Sequence, residues 1–385
     1  MVRGLSRKKK VLLLVRWPVG GIRTFIRYVY CGLDLHDWQL TILAPDLPEM
    51  QALIEDLTGL GVRYILTAAN PSPVMFAVRV FRELATAKYD LIHSHGFSSG
   101  ISAALPAFLT RTSHLLTSHD VINEKQFIGV KGFLKKLIMG LAFRMIDCIH
   151  SVSYDAQVNL SFFFPELVHR NGKAIVILNG IETEYFNGVF PRDLRSELGL
   201  SGEVFLIGFL GRFMAQKGFR YLVEAISLLH SEASMPKQVL VLTFGEGNFI
   251  REEKQTIREM GLSEYFRFMP FASSVAGIIK GLDVIVMPSL WEACPLQPME
   301  ALVCGTPLIA TDCIGLREVV LDTPAKLVPV ADAAALAQAL RSEMVDCSKD
   351  TFLAFTSAAV KRFDVSTTRN HIFDLYKKLI NRSCL

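Results

Sequence analysis

Hydrophobic residues along this chain gather in short continuous runs. Val11-Leu12-Leu13-Leu14-Val15 is apolar at every position, with Lys8-Lys9-Lys10 before it and Pro18-Val19-Gly20-Gly21 after it. A strand covered on both faces reads this way, whereas a half-exposed strand alternates. Similar runs predict strands near residues 40–43, 64–66, 91–93, 115–117, 149–152 and 175–178, with stretches of helical length between them. After Asn179-Gly180 the pattern restarts, with strands near 204–210, 238–244, 265–269, 283–287, 308–311 and 326–328. Strands of this kind alternating with helices predict two doubly wound parallel α/β domains of nearly equal size.

The boundaries expected are residues 1–185 for the first domain and 186–362 for the second, with 182–202 as the linker because Asn187-Gly188, Pro191 and Ser201-Gly202 interrupt it. Residues 363–385 form a last helix that crosses back to the first domain. Ile372, Phe373, Leu375, Tyr376 and Leu379 share helical spacing, and Lys377-Lys378 stand near its end, where cations suit the helix dipole.

Composition narrows the function. The chain has 385 residues, of which 51% are hydrophobic and 20% charged, so a disordered or polyacidic protein is excluded. Forty-one basic against 37 acidic residues leave a net charge of +4, too small and dispersed for a nucleic-acid binder. The seven cysteines (31, 148, 294, 304, 313, 347 and 384) include no Cys-x-x-Cys and read as reduced thiols of a cytoplasmic protein. The basic start, residues 1–10, precedes an apolar run of only residues 11–15, so neither export nor a membrane span is expected.

In open α/β sheets, ligands bind beyond the carboxyl ends of the strands. After the first strand, Gly20-Gly21 open a helix whose N-terminal amides could take an anion, although a plain turn explains the same pair. After the first strand of the second half, the loop from Gly211 to Gly218 brings Arg212 and Lys217 to another helix start. Two cations there suit a diphosphate, Arg as a bidentate grip and Lys as a point charge. Gly245 and Gly247 follow the next strand, as a loop lining the nucleotide site or as a turn. After the strand near 283–287 come Glu292 and Glu300, eight positions apart, with Pro298 at a helix start between them. Glu300 reads as reaching a ribose diol and Glu292 a sugar, while the N–H groups of Leu296 and Gln297 can hold phosphate. Capping of the helix is the simpler account of Glu300.

His93 and His95 in Ile92-His93-Ser94-His95-Gly96 resemble a metal pair, but no third ligand stands at matching spacing, and no metal is expected. His95 reads as lining the acceptor side and His93 as packing. His119, beside Asp120 after a strand end, could orient a hydroxyl.

These pieces, with Cys304-Gly305-Thr306-Pro307, Gly315-Leu316-Arg317-Glu318, Thr117-Ser118-His119-Asp120, Ser151-Val152-Ser153 and Leu178-Asn179-Gly180-Ile181-Glu182, resemble in order the retaining GT-B glycosyltransferases of family four. The resemblance spans nearly the whole chain. It implies two Rossmann-like domains facing a central cleft, the first for the acceptor and the second for a nucleotide sugar. It further implies retaining, metal-independent transfer from a UDP- or GDP-sugar to a carbohydrate or lipid-linked acceptor in polysaccharide or glycolipid synthesis, with no cofactor. In that pattern Arg212 and Lys217 bind the donor diphosphate, Glu300 the ribose, Glu292 the transferred sugar, and His119 the sugar or acceptor. Ala293-Cys294 and Ile314 depart from the usual residues, which bears on which sugar is carried. Two other readings share the architecture: a nucleotide-sugar epimerase and a non-catalytic subunit of an assembly complex.

Residues 130–139 mix Lys131, Lys135 and Lys136 with Phe133, Leu134, Leu137 and Ile138, and Phe162-Phe163-Phe164 follow. They predict contact with the cytoplasmic face of a membrane, unless the apolar members pack on the sheet.

Overall fold

The computed structural model describes residues 7–32, 35–167, 173–231, 235–270, 272 and 274–382. The chain divides into two units, Met1–Gly180 with Val365–Leu385, and Ile181–Asp364. In the first, β1 (Lys9–Val15), α1 (Gly20–Tyr30), β2 (Trp38–Pro45), α2 (Pro48–Asp56), β3 (Arg63–Thr67), α3 (Pro73–Thr86), β4 (Leu91–His95), α4 (Phe97–Thr110), β5 (Ser113–Ser118), α5 (Gly129–Met145), β6 (Cys148–Ser151), α6 (Tyr154–Phe163) and β7 (Ala174–Val176) follow one another. Its seven strands are all parallel, in the order β3-β2-β1-β4-β5-β6-β7.

Strand β1 shows why its run has no polar member. Val11, Leu13 and Val15 join one core with α1 and α2, while Leu12 and Leu14 join another with α3 and α4. Successive side chains leave a strand on opposite faces, so a strand covered twice is apolar wherever a side chain has no polar partner inside the fold. Leu116 of β5 and Ile149 of β6 continue the second face, where Met139, Ala142 and Phe143 of α5 and Leu160 and Phe163 of α6 cover them. Helices α3 to α6 therefore lie in one layer.

The second unit holds α7 (Thr183–Gly188), α8 (Leu194–Leu198), β8 (Phe205–Leu210), α9 (Phe219–Ser231), β9 (Val239–Phe244), α10 (Ile250–Glu259), β10 (Phe266–Met269), α11 (Ala276–Gly281), β11 (Val284–Met287), α12 (Gln297–Val303), β12 (Leu308–Thr311), α13 (Leu316–Val320), β13 (Lys326–Val328), α14 (Ala333–Val345) and α15 (Lys349–Phe363). Its six parallel strands run β10-β9-β8-β11-β12-β13.

The expected linker is not one. Residues 182–202 carry α7 and α8, and Phe186 and Leu194 are buried within the second unit. Glycine and proline there punctuate two short helices, capped in one case by Asp193 accepting from Ser196 N–H at 3.1 Å.

The last helix, α16 (Val365–Arg382), belongs to the first unit. Ile372, Phe373, Tyr376 and Leu379 enter the core between α1 and the sheet. Trp38 meets Phe373 edge to face at 5.2 Å between centroids. No described helix is long and apolar enough to cross a membrane.

Candidate active site

The strand order of the second sheet reverses at β8 and β11, which are neighbours although two strands separate them in sequence. Loops leaving the carboxyl ends of two such strands diverge and open a crevice. Both loops carry the residues singled out by sequence, and the structure joins them. Lys217 Nζ lies 2.6 Å from Glu292 Oε1, and Ser289 Oγ donates to the same oxygen at 2.8 Å. Leu290 N–H donates to the Gln216 carbonyl at 2.8 Å, and Gln216 Nε2 donates to the Trp291 carbonyl at 2.9 Å. Three contacts thus bind the β8 loop to the β11 loop, and Ser289 adds a fourth within the latter, around a carboxylate that is almost fully buried.

Two glycines make these loops possible. At Gly315, φ is +75° and a Cβ would lie 2.3 Å from the Glu292 carbonyl oxygen, while the Ile314 carbonyl accepts from Glu292 N–H at 3.0 Å. At Gly245, φ is +150° and a Cβ would lie 1.9 Å from the Gly211 carbonyl oxygen. Gly245 therefore serves as the floor on which the Gly211 loop rests, and Phe213 N–H donates to Glu246 C=O at 3.0 Å beside it. Phe213, packed against Phe219 at 5.0 Å, anchors that loop in the core.

Arg212 stands between these anchors, exposed, with no hydrogen bond or ion pair among the described residues. It does not share the Lys217 contact with Glu292. Pro298 lies in the first turn of α12, which has no side-chain cap, and Glu300, half-buried, donates its N–H to Leu296 C=O at 3.0 Å. Gln297 Nε2 is buried without a hydrogen-bond partner. Glu300 is a first-turn acid, which the positive end of the helix dipole favours, although no side chain caps that helix.

In the first unit, α1 begins at Gly20 without a side-chain cap, and the space where a Gly21 side chain would stand holds no protein atom within 4 Å. Beside it the sheet gathers histidines. His150 Nε2 donates to the Ile177 carbonyl at 2.8 Å, so its Nδ1 accepts from the Thr117 hydroxyl at 2.9 Å. Thr117 Oγ1 must then accept from His93 Nε2 at 2.6 Å, and His93 Nδ1 accepts from the Tyr376 hydroxyl at 2.6 Å. One carbonyl thereby fixes the tautomers of two histidines, and a tyrosine from α16 closes the series.

His95 is buried, not a lining residue. It ends the central strand β4, which is covered on both faces, and its Nδ1 lies 3.1 Å from His119 Nε2. Its Nε2 is buried with no partner. A buried orphan N–H is rarer than a buried orphan acceptor, so the proton sits on His95 Nδ1 and is donated to His119. His119, edge to face with Phe25 of α1 at 4.9 Å, then carries its own proton on Nδ1, a donor with no partner among the described residues. Burial, reinforced by His95 and His150, holds His119 well below the usual histidine range, so it is neutral. Burial brings His95 and His114 down to about 3 and His150 to about 4. Among the described residues, no group of three or more His, Cys, Asp or Glu is arranged to hold a metal ion. Of the cysteines, 148, 294, 304 and 313 are buried, and Cys384 lies outside the described residues.

Sequence reading missed Ser289 as the partner of Glu292, and the Tyr376–His93–Thr117–His150 series. Polar residues inside otherwise apolar strands were the available signal for the latter.

Two family models match in succession, a Glycosyl transferase 4-like domain over residues 20–172 and Glycosyl transferases group 1 over residues 204–346. A UDP-Gal:alpha-D-GlcNAc-diphosphoundecaprenol alpha-1,3-galactosyltransferase of Escherichia coli is 27% identical over 62% of this chain, which spans 62% of that relative's length. A D-inositol 3-phosphate glycosyltransferase of Corynebacterium urealyticum is 26% identical over 94% of the chain and 91% of the relative. Among solved structures, Anabaena HepE in complex with UDP and glucose has a TM-score of 0.80 at 20% identity, covering 96% of this chain and all of that one. The sucrose-phosphate synthase of Thermosynechococcus elongatus has a TM-score of 0.77 at 20% identity, covering 97% and 100%. Both likenesses establish the fold, GT-B. With one model on each unit and glycosyltransferases among its relatives over nearly its full length, the chain belongs to the group 1 glycosyltransferases with a family-four-like first domain.

Proposed function

We infer that this protein transfers a sugar from a nucleotide-diphosphate donor to an acceptor hydroxyl with retention of anomeric configuration and without a metal ion. The observation that carries the reading is the Lys217–Glu292 contact across the point where the second sheet reverses, with Arg212 exposed on the same loop. In the reaction the bond from the anomeric carbon to the phosphate oxygen breaks, its electron pair leaving with the diphosphate. The acceptor oxygen bonds to that carbon, and its proton departs with the diphosphate. Charge therefore grows on the leaving group, and Lys217 and Arg212 are the groups that answer it, the work a divalent ion does in other transferases.

Glu292, held by Lys217 and Ser289, is the acceptor of hydrogen bonds from the sugar, and Glu300 takes the ribose hydroxyls. The N–H groups of Leu296, Gln297 and Gly21 contribute donors at uncapped helix starts. His119, neutral with a proton on Nδ1, donates to a sugar or acceptor oxygen. The nucleotide named for the Escherichia coli relative and bound in the Anabaena structure favours UDP over GDP. The relative's diphosphoundecaprenol acceptor supports a lipid-linked or carbohydrate acceptor, as in surface polysaccharide or glycolipid synthesis. The buried thiols of Cys304 and Cys313 suit work in the reducing cytoplasm.

The test is to incubate the protein with UDP- and GDP-sugars, with and without EDTA, and to read donor hydrolysis and product linkage by NMR. Expected are hydrolysis of one donor, a rate unaffected by EDTA, and the donor's anomeric form in the product. An inverted linkage, or activity lost to EDTA and restored by manganese, overturns the reading.

A further inference from the structure

The outer face of the α3–α6 layer is unlike the rest of the first unit. Among the described residues, α1, α2 and α16 on the opposite face expose no large hydrophobic side chain. On α5 the reverse holds, since only Gly132, Met139, Ala142 and Phe143 of its 17 residues are buried. Phe133 is 70% exposed, and Leu134, Leu137 and Ile138 are about half exposed. The sheet-packing account of these residues therefore fails. The neighbouring helices extend the surface, α4 with Leu105, Phe108 and Leu109, α3 with Val74 and Met75, and α6 with Val158 and Phe162, all exposed. A face this apolar on a folded unit marks an interaction site.

Its charge says what covers it. Arg82 of α3 and Lys131, Lys135, Lys136 and Arg144 of α5 are exposed, and none has an acidic partner among the described residues. The acids carried by these helices are withdrawn, and of those beside them Glu124, before α5, is exposed. Glu83 is buried against Arg79 and Arg63, Asp155 is half-buried, and Glu166 lies in a groove of about 340 Å³ between α5 and the end of α6. Lys136 rides over the rings of Phe127 and Phe163, which keeps its ammonium at the rim of the apolar surface. Cations interleaved with exposed aromatic and aliphatic side chains fit an interface that is anionic at its surface and hydrocarbon beneath. A second copy of the chain fits poorly, because a two-fold contact sets like charges against one another.

We propose that the α3–α6 face of the first unit is a docking surface for an anionic lipid bilayer, with the α5 side chains entering the headgroup boundary. This goes beyond sugar transfer and can fail while that reading stands. The experiment is flotation of the full chain with phosphatidylcholine vesicles and with vesicles containing one quarter phosphatidylglycerol. The wild type is expected to float with the anionic vesicles at low salt and to dissociate as salt rises. A Lys131→Glu, Lys135→Glu, Lys136→Glu variant should lower the partition coefficient on the order of a hundredfold, since each cation near such a surface contributes about fivefold. Phe133→Ser with Phe162→Ser should weaken binding without changing its salt dependence. All these residues are exposed, so thermal midpoints and donor hydrolysis without lipid should match the wild type. A wild type that stays unbound, variants that bind equally, or an apolar face found to be consumed by a dimer that Phe133→Ser dissolves, each overturns the proposal.

Discussion

Lys217 and Glu292 are each other's partner in this structure, so a substitution at either has two effects that kinetics can separate. Lys217→Ala removes the ammonium that meets the departing diphosphate and leaves the Glu292 carboxylate with Ser289 alone. Turnover should fall on the order of a hundredfold, as for loss of a preorganised charge partner. The stranded carboxylate should also cost up to about 3 kcal/mol of stability. Glu300→Ala behaves differently, because ribose contacts are alike in the ground and transition states. It should raise the donor Michaelis constant more than it lowers turnover. Steady-state kinetics on both variants with a urea titration of each checks this, and unchanged kinetics in both would return the pair to a purely structural role.

At the scale of the elements, the site depends on how closely backbone passes backbone. Gly315→Ala puts a Cβ 2.3 Å from the Glu292 carbonyl at a φ of +75°, so the loop carrying Glu292 must move. Backbone strain and displacement together should cost about 1–3 kcal/mol and cut activity by tenfold or more. Gly21→Ala is the contrasting case. Nothing lies within 4 Å of the added methyl, and the position is inside a helix, so stability should hold or rise by about 0.5–1 kcal/mol. If the start of α1 receives a ligand, that same variant should nonetheless lose donor or acceptor affinity. Thermal midpoints and Michaelis constants of the two variants, measured side by side, decide both points.

Across the molecule, four buried histidines and the half-buried His119 tie stability to pH. Each is held below the ordinary value by burial, with His150 at about 4 and His95 and His114 at about 3. The unfolded chain takes up protons below about pH 6.5 that the native state does not. Stability should therefore fall as pH drops from about 6.5 to about 3, with each histidine's share of the loss levelling off below its native value. His114→Gln removes one such group and should make the decline shallower; a thermal midpoint that stays flat between pH 6.5 and 4 in the wild type would count against the account. The last helix sets a second dependence. Truncation after Asp364 strips Ile372, Phe373 and Tyr376 from the core and leaves Tyr30 and His93 without Tyr376. Burial of such side chains is worth about 2–5 kcal/mol each, so the first unit should lose its cooperative unfolding transition.

Strands were legible from the sequence because burial on both faces disfavours polar residues that lack a partner, and the runs at 11–15 and 204–210 show that rule directly. Gly211, Lys217, Glu292 and Glu300 were legible for a related reason: a strand end followed by a helix start is where backbone donors and ligands meet, so unusual residues there stand out. The spacing of Ile372, Phe373 and Tyr376 marked a helix with one apolar face, and only the fold put that face into the core of the first unit. Tertiary structure alone decided which of these residues touch. That Lys217 pairs with Glu292 follows from β8 and β11 being adjacent, a fact of strand order rather than of local pattern. That His95 is covered, and orients His119, follows from β4 lying mid-sheet. The segment at 182–202 was misread as a linker because glycine and proline mark ends of short helices as readily as they mark flexible joints. Whether the apolar residues of α5 faced the sheet or solvent could not be read from a helix with cations spread around it, and only the packing of Met139, Ala142 and Phe143 onto the sheet turned the others outward.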